Sequence, residues 1–248
     1  MRRYQFSIPD TQYLDHHGRA VQSLPPWALD LQRLISFYRA MVLARTFDQK
    51  AIALQRTGQL GTYASCLGQE SVGVAVGYAM DHKDVLAPAY RDHAAQLLRG
   101  VSIPELLFFW GGDERGSDFR ISRDDLPNCV PVATQTTHAA GVAMAFRIRG
   151  EPRVAVCLLG DGSTSRGDFL ESLNLAGVWK LPVVYVINNN QWAISVPRHL
   201  QSGAETLAQK AIGAGIPGEQ VDGCDVIAVP EAMQQALTRT RLRARGRR

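Results

Sequence analysis

Two apolar runs of strand length, Arg153 to Leu159 and Val183 to Ile187, constrain this chain more than any other feature. Between them a helix-length segment starts at Asp168, a residue type suited to capping, and runs to about Lys180 before Pro182. Strand, helix and strand in about 35 residues is a parallel crossover unit, which is right-handed in nearly all sheets. Neither run alternates polar with apolar positions, as expected where helices shield both sides of a strand. The expected fold class is therefore α/β: a parallel sheet covered by helices on both faces.

Each run stops at a polar tip. Gly160-Asp161-Gly162 follows the first and Asn188-Asn189-Asn190 ends the second, with 26 residues between Gly162 and Asn189. Ligands of parallel sheets bind beyond the carboxyl ends of the strands. Neighbouring strands lie ~4.8 Å apart, so the Asp161 carboxylate and the Asn190 amide oxygen are expected to converge. Two oxygen donors are too few for an all-protein cage. They suit Mg2+, which takes phosphate oxygens and water as its remaining ligands. Gly160 and Gly162 permit a tight turn against a phosphate, and the next helix turns its N-terminus to the same anion. By itself Gly-Asp-Gly is only a turn; with the Asn pair at the second strand tip it reads as a divalent cation bridging protein and diphosphate.

Around this unit, residues 1–26 hold Pro9, Gly18, Pro25 and Pro26 and read as an extended arm. A helix from Trp27 to about Arg56 carries an apolar stripe of Leu31, Leu34, Ile35, Tyr38, Met41 and Val42. Gln69 to Met80 is a second helix, with Gly73 and Gly77 on one face for a close backbone approach. Asp84 to Ala89 reads as a short strand that Pro88 confines to an edge or an end. Asp92 to Arg99 and Pro104 to Trp110 are short helices, and residues 111–130 a long surface loop. Thr137 to Arg149 is helical and closed by Gly150; Ala204 to Ala214 and Pro230 to Arg241 are later helices. The core domain is expected over 27–237, followed by an Arg-rich tail at 238–248.

A length of 248 residues with 46% hydrophobic and 20% charged residues is that of an ordinary globular enzyme with a substantial core. The net charge of +4 is local: Arg239, Arg241, Arg243, Arg245, Arg247 and Arg248 supply six positive charges, and without them 21 basic residues face 23 acidic ones. That pattern predicts a solvated end rather than a nucleic-acid face. Cys66, Cys129, Cys157 and Cys224 form no C-x-x-C pair, which argues for reduced thiols over zinc or disulfides. The polar N-terminus and the absence of an ~18-residue apolar run predict no secretory signal and no membrane span, hence a cytoplasmic protein.

The Gly160-Asp161-Gly162, 26-residue, Asn189-Asn190 pattern resembles the thiamine-diphosphate motif. The segments "YRAMVLARTFDQKAIALQRTGQLGTYASCLGQE", "AYRDHAAQLLRG" and "LGDGSTSRGDFLESLNLAGVWKLPVVYVINNNQWAIS" resemble the alpha subunit of pyruvate and branched-chain 2-oxoacid dehydrogenases, over residues 30–237. The resemblance implies a thiamine-diphosphate-dependent oxidoreductase that decarboxylates pyruvate, or alternatively a branched-chain 2-oxoacid, and passes the acyl unit to a lipoyl group. It implies that Asp161, Asn190 and the Trp192 carbonyl hold Mg2+. Tyr90 and Arg91 would grip the diphosphate, a role for which a guanidinium fork is suited. Pro131 and Val132 would pack near the cofactor, Gly162 and Ser163 would offer backbone contacts, and Asn188 falls in the same cofactor-binding group. Thr134 and Gln135 match part of a K+ site of some members, in which Cys129 replaces a hydroxyl residue. The implied partners are a beta subunit, which completes the site and supplies the activating glutamate, a lipoyl-bearing acyltransferase, and a second alpha chain in a heterotetramer.

No catalytic residue is thereby assigned to this chain. Glu70 is expected to be structural, and His93 and His138 to be packed or surface residues. Family members continue for over a hundred further residues, including a cofactor-touching loop, so the chain alone is expected to be inactive. A truncated subunit that only binds partners is the non-enzymatic alternative. A nicotinamide-binding Rossmann domain fits poorly: the third glycine of G-x-G-x-x-G is missing, and asparagines stand where a ribose-binding acid belongs.

Overall fold

A computed structural model describes residues 5–245. In chain order its elements begin with β1 (Asp10–Thr11), α1 (Leu31–Arg56), α2 (Glu70–Ala79), β2 (Val85–Ala87), α3 (His93–Leu98), α4 (Ile103–Trp110) and α5 (Thr134–Arg149). There follow β3 (Ala155–Gly160), α6 (Gly167–Trp179), β4 (Val183–Asn188), β5 (Trp192–Ala193) and β6 (Val196–Pro197). The last are α7 (Arg198–Gln201), α8 (Gln209–Gly213), β7 (Gln220–Val221) and α9 (Ala228–Arg245).

The central sheet has the order β2-β3-β4 and is parallel throughout. Because side chains alternate across a strand, each strand feeds two cores. Val85, Ala87, Ala155, Cys157 and Leu159 pack with Ala139, Ala140, Ala143 and Phe146 of α5 and Phe169, Leu173 and Ala176 of α6. Leu86, Val154, Val156 and Leu158 pack on the other face with Val72, Ala75 and Val76 of α2 and Met233 and Leu237 of α9. Helices thus cover both faces, and β3 between two strands is buried almost throughout. In β4 all six residues are only half-buried, because its outer edge opens on a cleft of about 1190 Å³. The short β1 pairs with β7, which ties the extended N-terminal segment to the region before α9.

Glycine explains one close approach. A Cβ on Gly73 would stand 2.8 Å from that of Ala94, and one on Gly77 2.7 Å from that of Leu98, so α2 and α3 meet along their backbones.

Three expectations are corrected. The stripe on α1 is not its buried face: Leu31, Ile35, Tyr38 and Val42 are exposed, while Phe37, Ala44, Phe47, Asp48 and Ala51 face the core. Apolar residues nearly encircle the first half of this helix, so periodicity carried little contrast, and the fit against α2 and α3 chose the face. Residues 111–130 are not a free surface loop. Leu126 donates its N–H to the Leu86 carbonyl, the Asp125 carboxylate accepts the Leu86 N–H, and Cys129 donates to the Pro88 carbonyl, so the segment covers the outer edge of β2. Finally, the Arg-rich end is not a solvated tail as far as Arg245. It continues α9, with Arg239 3.5 Å from Glu219 and Arg241 paired to the buried Asp84. Residues 1–4 of the expected arm and 246–248 of the expected tail lie outside the described residues.

His93 is packed, as the side-chain chemistry requires. Its Nε2 accepts the Trp110 indole N–H at 2.8 Å and its ring stacks on Tyr63. Burial pushes its pKa down to about 4. The unfolded imidazole, near 6.5, takes up a proton that the folded one refuses until about pH 4. The associated stability is full above 6.5 and is lost as pH falls toward 4. Neighbouring Asp92, raised by burial to about 7, works in the opposite sense, so the expected result is a difference. The stability of wild type minus that of His93→Phe should shrink by on the order of 2–3 kcal/mol between pH 7 and pH 4. Urea midpoints across that range test this, and a difference independent of pH contradicts it.

Candidate cofactor site

Gly160 at the end of β3 stands in register with Asn188 at the end of β4. The chain turns at Asp161–Ser165 into a short 3-10 helix before α6, and beyond β4 it enters the β5–β6 hairpin and α7. Between these two exits lies a pocket of about 150 Å³. Asp161, Gly162, Ser163, Asn188, Asn190 and Trp192 all line it, as do Tyr90 and Arg91 from beyond β2 and Val132 from before α5. Nine of the ten residues expected to bind metal or cofactor therefore share one cavity. Pro131 does not line it and is exposed; Cys129 does line it, and its thiol donates to the Pro131 carbonyl. Of the two residues matched to a K+ site, Gln135 lines the pocket and Thr134 does not.

The state of each polar group suggests what the pocket holds. Asp161 is 1% exposed, and its Oδ1 is buried without a hydrogen-bond partner. Burial pushes its carboxyl above the usual carboxylate range, against bonds from backbone N–H groups and Gln201 that pull it down. A buried acceptor left empty is costly, and a cation relieves that cost. The Asn190 amide oxygen accepts the Trp192 N–H at 3.0 Å, which folds the β4 exit back on itself. Among the described residues no three His, Cys, Asp or Glu side chains gather as a metal cluster. Two carboxylates line the pocket, but Asp92 accepts the Ala89 N–H and burial raises it to about 7. A cation here therefore relies on Asp161 with amide and carbonyl oxygens, a hard donor set that suits Mg2+. The residues present fit such a group.

Arg91 brings a positive charge to the pocket wall. It lies over the Tyr90 ring at 5.3 Å and donates Nη1 to the Ser65 carbonyl; no carboxylate pairs with it among the described residues. Ser65 is itself fixed by Asp48. This fully buried acid on α1 accepts from the Tyr63 and Ser65 hydroxyls and from the Cys66 N–H, each at 2.8 Å. Burial pushes the Asp48 carboxyl up, yet these bonds outweigh it and hold the acid below its ordinary range. Glu70 is structural in the same region, bonded to Arg45 and the Gly68 N–H.

Sequence reasoning missed four contributors. Asp48 had a signal, an acid spaced with Phe37, Ala44 and Ala51 on one helical face. Gln69, at the start of α2, lines the pocket, and Gln201 of α7 donates to Asp161; nothing local marks either of them. Ile194 lines the mouth, 96% exposed and at φ +58°, a conformation that a β-branched residue rarely adopts. Gln191 at φ +69° and Ala133 at φ +75° flank the same pocket. Strain of about 1–3 kcal/mol per residue gathers at functional sites.

A family model described as "Dehydrogenase E1 component" matches residues 38–245. The protein of Staphylococcus aureus (strain Mu50) named pyruvate dehydrogenase E1 component subunit alpha is 42% identical over 229 residues, which cover 92% of this chain and 62% of that one. A protein of the same name from Staphylococcus epidermidis (strain ATCC 12228) is 41% identical over the same shares. The chain thus spans less than two thirds of the length of these relatives. A solved structure described as that of a thiamin diphosphate-dependent enzyme from Mycobacterium smegmatis aligns with TM-score 0.45 and 18% identity, over 68% of this chain and 29% of that one. With most of its length matched by that family model, the chain belongs to the dehydrogenase E1 component family.

Proposed function

We propose that this chain is the alpha component of a 2-oxoacid dehydrogenase acting on pyruvate, and that its pocket holds the diphosphate of thiamine diphosphate through Mg2+. The observation that carries the reading is the buried, unpartnered Oδ1 of Asp161 in a pocket also lined by Asn190, Trp192 and Arg91. The relatives named for pyruvate dehydrogenase support pyruvate over branched-chain substrates. When bound, the cofactor supplies the carbon nucleophile for decarboxylation. This chain's part is positioning. Asp161, Asn190 and the Trp192 carbonyl hold the cation, and Tyr90 and Arg91 hold the phosphate oxygens. Gly162 and Ser163 bring backbone close, and Val132 and Asn188 close the wall. Gln135 and Thr134 are the candidates for a K+ contact.

The catalytic partners are a beta subunit and a lipoyl-bearing acyltransferase, with a second alpha chain in a heterotetramer. Exposed Leu31, Ile35, Tyr38 and Val42 on α1 are suited to protein contact. Among the described residues all four cysteines are free, and no helix is long and apolar enough to cross a membrane. The thiols support a reducing, cytoplasmic setting.

Calorimetric titration tests the reading. Thiamine diphosphate should bind saturably with Mg2+ and at least tenfold more weakly without it, and NAD should not bind. Binding of NAD, or cofactor affinity indifferent to Mg2+, would overturn it. With a beta subunit added, release of CO2 from pyruvate against 3-methyl-2-oxobutanoate decides the substrate.

A further inference from the structure

Asp161 offers two carboxylate oxygens, but they are not equivalent. Oδ2 accepts from Nε2 of Gln201 at 3.2 Å, and Oδ1 is buried without a partner. Gln201 is the last residue of α7, forty positions away in sequence, and it is fixed from its other side. The Ser165 hydroxyl donates either to its side-chain Oε1 or to its backbone carbonyl, each at 3.2 Å. The amide can take only one orientation in this setting. A carboxylate only accepts, so the NH2 must face Asp161, which leaves Oε1 for Ser165. The same nitrogen lies 3.5 Å from the Val196 carbonyl in β6.

Close packing holds this arrangement in place. A Cβ on Gly162 would lie 2.8 Å from the Cβ of Ala193 and 3.8 Å from the Gln201 Oε1, so the hairpin and α7 sit directly on the turn that carries Asp161. Ser165 and Asp161 belong to one 3-10 turn, so Gln201 grips both ends of it.

The geometry points to Gln201 as a positioning residue for the cation site: by occupying Oδ2 it fixes the Asp161 side chain and leaves Oδ1 as the one oxygen presented to a divalent ion. This assignment rests on the cation reading given under Proposed function. Partners that orient a metal-ligating carboxylate typically contribute 10- to 100-fold in metal affinity.

The test uses the full chain, Mn2+ as the probe ion and thiamine diphosphate in excess, with free Mn2+ read by electron paramagnetic resonance. Gln201→Leu removes the donor at similar size, and Gln201→Met removes it on an unbranched side chain. Both should raise the Mn2+ Kd by 10- to 100-fold, and the unliganded protein, having lost one hydrogen bond to a buried carboxylate, should stay folded with a fall in melting temperature of at most about 10 °C. Wild-type Mn2+ affinity in either folded variant would overturn the assignment. Unfolding of the unliganded variants at the titration temperature, which would by itself account for the lost affinity, would also overturn it, in favour of a purely structural contact. A different result marks failure of the underlying reading: no Mn2+ binding by wild type, or undiminished binding in Asp161→Asn.

Discussion

Asp161→Asn should lower the affinity for Mg2+ with thiamine diphosphate by at least ~100-fold, about 3 kcal/mol, without lowering the stability of the unliganded protein. The two halves of this expectation have one cause. Asp161 is buried, its Oδ1 has no partner, and burial raises its carboxyl above the ordinary range. A raised folded-state value means that the ionised group is carried at a cost above the unfolded value near 3.9, and that the cost vanishes once pH falls below it. Asparagine is nearly the same size and carries no charge, so at neutral pH the unliganded variant should melt no lower than wild type. It also removes the unpartnered carboxylate oxygen that a cation in this pocket would use. Activity-linked residues that destabilise their own fold show this trade. Titration calorimetry and thermal melting on the same two samples decide it. A variant that binds normally sinks the site assignment, and one that unfolds easily shows that Asp161 serves the fold instead.

A second large effect concerns a residue outside the pocket lining. Asp125→Ala should destabilise the protein by about 3–5 kcal/mol, because it strands a buried cation. Arg99 donates Nε and Nη2 to Asp125 at 2.9 and 2.8 Å, and the two side chains are only 6% and 2% exposed. The same carboxylate accepts the Leu86 N–H in place of a neighbouring strand. Its loss therefore leaves a buried guanidinium with only the Asp81 and Asp84 carbonyls as partners, and an unpaired backbone donor, together at the edge of β2. For a domain of this size that corresponds to a fall in melting temperature of roughly 10 °C or more. Asp124→Ala is the internal control. Its partner is Arg153, Asp124 itself is 67% exposed, and a surface pair of this kind contributes at most about 1 kcal/mol. Equal melting temperatures for the two variants would refute the argument.

Much of the site was legible because its signals are local. The apolar runs of β3 and β4, the glycines flanking Asp161 and the asparagines after β4 lie within about 40 residues, and a parallel crossover leaves little freedom in joining them. Strand tips placed in register bring Asp161 and Asn190 to one pocket wherever the rest of the chain goes. Tyr90 and Arg91 were found only through the resemblance, since a lone arginine after a short strand carries no mark of its partner. Pro131 came from the same source, and the structure leaves it exposed and outside the cavity lining.

By itself, then, the amino-acid order determined the parallel sheet, its helical cover and the acid and amide at the strand tips, because hydrophobic period and turn chemistry act over a few residues. Tertiary structure alone decided which side of α1 is buried, that residues 111–130 close the edge of β2, and that Arg241 is an anchor reaching Asp84 across 157 positions. It also decided that Gln201 holds one oxygen of Asp161. A buried charge or amide is stable only with its partner in place, and these partners are distant in sequence. Their pairing becomes definite only when packing sets the distances between them.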